Sequence, residues 1–178
     1  MNKKNRLVLN VLACLMLLNI ACKAYETIEV KNLHKVSKTL YRSAQPDKSE
    51  MIHLERKGIK TIINLRNRLN DNNEIRGTDL KTVWIRMRAG KIDYEDMVVS
   101  MKTFNEVEKP ALVHCRRGSD RTGCFVACYR MIFEGLSKEE AIKELLNERY
   151  GYAVKLFPNI LKFIDNLDVE QLKKDVLE

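Results

Sequence analysis

Cys115 and Arg121 are separated by five residues in the run His114-Cys115-Arg116-Arg117-Gly118-Ser119-Asp120-Arg121-Thr122-Gly123. The run follows the apolar tract Ala111-Leu112-Val113 and leads into a helix-patterned stretch from Thr122. A loop joining the carboxyl end of a strand to a helix N-terminus points successive backbone N–H groups at one spot, where the helix dipole adds positive charge. Such a nest, built from Arg116, Arg117, Gly118, Ser119, Asp120, Arg121 and Thr122, suits a phosphate dianion. The same field favours the Cys115 thiolate, the form of cysteine that attacks phosphorus. Arg121 can grip two phosphoryl oxygens with its planar fork and carry their charge in the transition state, which the point charge of a lysine does less well.

The surrounding sequence alternates strand and helix. Residues 39–43 read as a short strand running into a turn at Gln45-Pro46. Asp47 or Ser49 can cap a short helix through Lys57, with Gly58 as its left-handed exit. The β-branched run 59–65 is a buried strand, 67–73 an Asn/Asp-rich loop, 74–80 a short helix and 82–87 another strand. Asp93 opens an amphipathic helix over 94–108, stopped by Pro110 before the strand 111–114. Ser137 and Glu140 form a capping box, Pro158 suits the first turn of a later helix, and the tail from Val169 reads as charged and exposed. Right-handed crossovers then predict an α/β fold, a mostly parallel central sheet flanked by helices on both faces.

The loop sequence resembles the phosphate-binding loop of the protein tyrosine phosphatase superfamily, in particular its compact dual-specificity branch. Tyr41-Arg42-Ser43-Ala44-Gln45-Pro46, Ile62-Ile63-Asn64-Leu65-Arg66, and Tyr129-Arg130 followed by Ser137-Lys138-Glu139-Glu140-Ala141 resemble further blocks of its bacterial and fungal members. Arg42 and Gln45 read first as packing residues. The resemblance implies a phosphocysteine intermediate at Cys115, phosphate binding by Arg121, and a Thr122 hydroxyl that helps the sulfur leave. It also implies an acid that protonates the leaving oxygen. Asp93, after the strand that precedes the nucleophile strand, is one candidate, with helix capping as its structural alternative. Asp120, inside a Gly-x-Asp-Arg-Thr pattern, is the other, with loop bonding as its alternative. His114 is expected to order the loop rather than act as a base.

Arginines follow each strong strand: Arg66 and Arg68, Arg86 and Arg88, Arg116 and Arg117. Carboxyl ends of parallel strands are where α/β proteins bind ligands, so a basic rim around Cys115 is expected. Phosphoproteins, inositol phosphates and phosphoinositides are the expected substrates, and a non-catalytic phosphate-binding module is the reading from another class. His34, His53 and His114 show no metal-ligand spacing, and no cofactor fingerprint occurs, so neither metal nor cofactor is expected.

Residues 1–24 run from Lys3, Lys4 and Arg6 through an apolar tract to small residues around Ala21 and Ala24, the layout of a secretory signal peptide. The tract is shorter than the ~20 residues a spanning helix needs. Cleavage is expected after Ala24 or before Cys22, which would then carry lipid, so the protein is expected to be periplasmic or secreted. Residues 25–178 then make one domain, expected to be a monomer. With 45% apolar and 31% charged residues the chain can bury a core. Half of the net charge of +8 sits on Lys3, Lys4, Arg6 and Lys23, and no basic helix with interleaved aromatics follows, which disfavours nucleic acid. Cys115, Cys124 and Cys128 are too few and too odd in number for a disulfide framework; Cys124 and Cys128 share a helix face and read as core.

Overall fold

The computed structural model describes residues 28–178, so the leader expectations, with Cys14 and Cys22, lie outside the described residues. Five strands, β1 (His34–Lys35), β2 (Leu40–Ser43), β3 (Thr61–Asn64), β4 (Lys81–Trp84) and β5 (Ala111–His114), form one sheet in the order β1-β2-β5-β3-β4. β1 pairs antiparallel with β2, and every other pairing is parallel. Parallel neighbours require crossovers. Helix α1 (Lys48–Arg56) links β2 to β3 and α2 (Tyr94–Glu106) links β4 to β5, while α3 (Asp120–Phe133), α4 (Lys138–Leu145), α5 (Pro158–Asp165) and α6 (Val169–Leu177) follow β5. The expected α/β architecture is the observed one.

Register aligns the strand ends that matter. Ser43 lies opposite His114, His114 opposite Asn64, and Asn64 opposite Trp84, so four parallel strands finish in one row. The residues after that row, from Ala44, Leu65, Ile85 and Cys115, therefore emerge along one edge.

Side-chain alternation divides the core between the two faces. Ile63, Ala111 and Val113 point to the larger cluster with α2 to α6, whereas Ile62 and Leu112 meet Met51 and Leu54 of α1. Helices cover both faces, but unequally. Eleven of the fourteen residues of α3 are buried, so the helix that begins at the loop is wrapped by protein nearly all round. Cys124 and Cys128 are free, fully buried core residues, as expected. The neighbouring Cys128, together with burial, pushes the Cys124 thiol well above its usual range, so it stays protonated and unreactive.

Capping works as read: Asp47 with Glu50, Asp93 with Asp96 and Ser137 with Glu140 each close a capping box. Four local expectations are corrected. The helix expected over 74–80 is a series of turns, because Gly77 takes φ 91° and the Thr78 hydroxyl bonds the Ile75 carbonyl. β4 ends at Trp84 rather than 87, since its partner β3 ends opposite it. The segment before residue 39, to which the sequence reading assigns no element, contains β1. The C-terminal helix is not wholly exposed: Leu172 and Val176 are buried in the larger core.

Candidate active site

The loop after β5 carries Cys115 to the N-terminus of α3. Gly118 turns it with φ 73°, and a Cβ there would sit 2.4 Å from the Ser43 carbonyl carbon and oxygen, which are backbone and cannot yield. Both facts demand glycine. Gly118→Ala is expected to cost about 3 kcal/mol, combining the left-handed strain with the overlap. Urea denaturation measures this, and a loss under about 1 kcal/mol would show that the loop moves freely.

A buried arginine fastens the loop from below. Arg42 is 1% exposed, donates from Nη2 to the Gly118 carbonyl at 2.8 Å and lies 4.1 Å from the Tyr150 ring centre. Burial lowers its pKa to about 10, which leaves it a cation at neutral pH. Asn32 ties the loop from the side, donating to the carbonyls of Arg117 and Tyr150 at 3.0 and 3.2 Å. Read from sequence as packing, Arg42 thus shapes the loop directly, and Asn32 was not singled out at all.

Cys115 is buried at the centre. Burial opposes its ionisation, but the nearby Thr122 hydroxyl and N–H, the Arg121 charge and the Arg117 N–H outweigh it, holding the thiol below its ordinary range. Arg121 anchors Nη1 on the carbonyls of Leu65 and Met87 at 3.1 and 3.2 Å, while its buried Nε has no partner. A buried donor without a partner is costly unless a ligand satisfies it. The guanidinium is thereby held by one corner, with Nε left unpartnered.

His114 is fully buried and orders the loop, as expected. Its Nδ1 lies 3.3 Å from the Cys115 carbonyl and its Nε2 2.9 Å from Asp71 Oδ2. Asp71, in the segment read only as a polar loop, is completely buried, and its other oxygen accepts from Gln45 Nε2 at 2.8 Å. Burial works against the Asp71 charge, but the bonds from His114 and Gln45 hold its carboxyl below the usual range. Nothing in a run of Asn and Asp marks one member as buried; the Gln45 block was the available signal.

The two acid candidates are placed differently. Asp120 is 5% exposed with both oxygens occupied, Oδ2 by Arg117 Nη2 at 2.9 Å and Oδ1 by the Ala153 N–H at 3.1 Å. Asp93 is exposed and caps α2 by accepting the Asp96 N–H at 3.0 Å. Neither lines the open depression of about 190 Å³ formed by Arg66, Asn67, Arg68, Arg116 and Arg121.

That depression gathers Arg66, Arg68 and Arg116, three of the six arginines expected to form a rim, and Cys115 is not among its lining residues. Arg66, Arg68 and Arg116 surround Arg121, and among the described residues none of the four forms an ion pair with a carboxylate. Arg86 instead stacks on Trp84 at 4.2 Å, Arg117 pairs with Asp120, and Arg88 lines no part of it. Ser119 is buried, its hydroxyl bonded to the Arg117 carbonyl at 3.3 Å. Among the described residues no cluster of His, Cys, Asp and Glu has the form of a metal site.

A cysteine loop between a parallel strand and a helix, followed at the start of that helix by an arginine whose buried Nε has no partner, fits the dual-specificity class of cysteine phosphatases. The chain belongs to the family described as DSP-PTPase phosphatase fused to NAD+ kinase, whose model matches residues 21–155. It is 30% identical over 124 residues to the dual specificity protein phosphatase TpbA of Pseudomonas aeruginosa, a match covering 67% of this chain and 56% of that protein. The chain thus spans little more than half the length of this curated relative. The crystal structure of P. aeruginosa TpbA superposes with a TM-score of 0.76 at 26% identity, covering 83% of this chain and 92% of that one. The catalytic core of the PP-IP phosphatase SIW14 from Saccharomyces cerevisiae gives a TM-score of 0.71, also at 26% identity, over 83% and 91% of the two chains.

Proposed function

We propose that the protein hydrolyses phosphomonoesters through a phosphocysteine intermediate. The observation that carries this reading is the pairing of a thiol held below its ordinary pKa with an arginine whose buried Nε lacks a partner. The Cys115 thiolate attacks phosphorus, the ester P–O bond breaks, and the leaving oxygen takes a proton from an acid. Water then attacks the phosphocysteine, releasing phosphate and the thiolate, with the Thr122 hydroxyl bonding the departing sulfur. Phosphotyrosine and phosphoserine or phosphothreonine proteins are substrates on this reading, in keeping with the relative called a dual specificity protein phosphatase.

A second reading concerns substrate charge. Four arginines around one depression, without carboxylate partners among the described residues, favour molecules bearing several phosphates, such as inositol phosphates or phosphoinositides. The similarity to a PP-IP phosphatase core supports it. The leader-like N-terminus supports a site of action outside the cytoplasm.

The acid is assigned to Asp93, because both oxygens of Asp120 are engaged in holding Arg117 and the segment at Ala153. Asparagine caps a helix as well as aspartate does, so Asp93→Asn removes the proton while keeping α2. It is expected to lower kcat for an alkyl phosphate by about 10²-fold and to flatten the basic limb of the pH profile. Asp120→Asn should lower stability with that limb intact; the opposite pattern would transfer the acid to Asp120.

Acid-quenching a reaction with an aryl phosphate and mapping the protein by mass spectrometry tests the central reading. A phosphoryl group on the peptide containing Cys115 is expected. Steady phosphate release with no such adduct at early times would defeat it.

A further inference from the structure

The arginines at the rim are not equally free. Arg66 is pinned on three sides: its N–H donates to Asn64 Oδ1 at 2.8 Å, its carbonyl accepts from Trp84 Nε1, and its Nη1 donates to Gln45 Oε1 at 3.0 Å. Asn64, fully buried at the end of β3, also donates from Nδ2 to the Leu69 carbonyl at 2.9 Å. This curls the segment so that both Arg66 and Arg68 line the depression. Gln45 is in turn fixed by Asp71, the same buried carboxylate that holds His114 beside the nucleophile.

We infer that Gln45 is a positioning residue for substrate choice, holding the Arg66 guanidinium, through Asp71, in a fixed relation to Cys115 so that it recognises a second anionic group of the substrate. A long arginine side chain loses rotamer freedom when it binds. Here that freedom is already lost in the folded protein, since an amide with one end on a buried carboxylate has its other end aimed at the arginine. A preorganised cation binds its anion more tightly than a mobile one of the same charge. Because the amide cannot rotate without leaving Asp71 Oδ1 unsatisfied, the guanidinium is held in place as well as in charge. Arg68 and Arg116 have no such support among the described residues, so they add positive charge without a fixed direction. Asp71 thereby couples two parts of the site, the loop through His114 and the rim through Gln45.

This inference rests on the second reading above, that the substrate carries several phosphates. Titration calorimetry of the full chain carrying Cys115→Ser, with myo-inositol hexakisphosphate as the probe, tests it by binding alone. Arg66→Ala and Gln45→Met are each expected to weaken binding by about 5–10-fold, with the double variant no weaker than Arg66→Ala, because Gln45 acts only through Arg66. Effects that multiply in the double variant, or a Gln45→Met protein with undiminished affinity, would overturn the assignment. If Arg66→Ala leaves binding unchanged, recognition by Arg66 is wrong, whatever the protein's activity on an aryl phosphate, which tests the phosphatase reading separately. Should Gln45→Met melt early, Gln45→Ser, which admits water to Asp71, is expected to show the same non-additive loss, and a fully additive one there would be equally damaging.

Discussion

Cys115→Ser is expected to reduce phosphate release from para-nitrophenyl phosphate by at least about 10⁴-fold while leaving the melting temperature close to that of the unmodified protein. The substitution exchanges sulfur for oxygen at a buried position and changes no backbone contact. Chemically it is severe, because a serine hydroxyl needs an adjacent base. His114, the nearest imidazole in sequence, faces Asp71 with one nitrogen and the Cys115 carbonyl with the other. Cysteine needs no base, since the nest and Arg121 already favour its thiolate. The rate should therefore rise with pH through a value below the ~8.5 of a free thiol. A serine variant within tenfold of the original would remove the thiolate from the mechanism.

Arg121→Lys should lower kcat by on the order of 10²–10³-fold, the scale of losing a donor aimed at transition-state charge. On the proposed mechanism Arg121 does two things at once: Nη1 holds the carbonyls of Leu65 and Met87, which follow β3 and β4, and the unpartnered Nε meets the phosphoryl group. A lysine ammonium can occupy the carbonyls or the anion but cannot span both. Steady-state kinetics on an aryl phosphate should show the loss mainly in kcat. A lysine variant altered only in KM would mean that Arg121 binds the ground state and transition state alike.

The Cys115 loop was legible because its residue types stand at fixed spacing within ten consecutive positions, and the caps at Asp47, Asp93 and Ser137 because they act over three residues. What was not legible depends on distant contacts. Asp71 acquires its role from His114, 43 positions away, and Arg42 from Gly118, 76 away. The strand-end rule placed six arginines at the correct edge but could not foresee that Trp84 and Asp120 would draw Arg86 and Arg117 aside. The expected helix over 74–80 failed at Gly77, whose positive φ outweighed the weak periodicity around it.

The row formed by Ser43, His114, Asn64 and Trp84 makes the sheet a ruler. Neighbouring strands stand about 4.8 Å apart, a spacing set by backbone hydrogen bonds that no side-chain substitution alters. The Cys115 loop leaves β5 and the segment of Arg66 leaves the adjacent β3, one division away. The backbone therefore sets where the two segments start, and the Gln45–Asp71 pair sets where the Arg66 guanidinium stands beyond that start. Substitution along this edge changes the side chains presented there, but not the spacing of the strands that carry them.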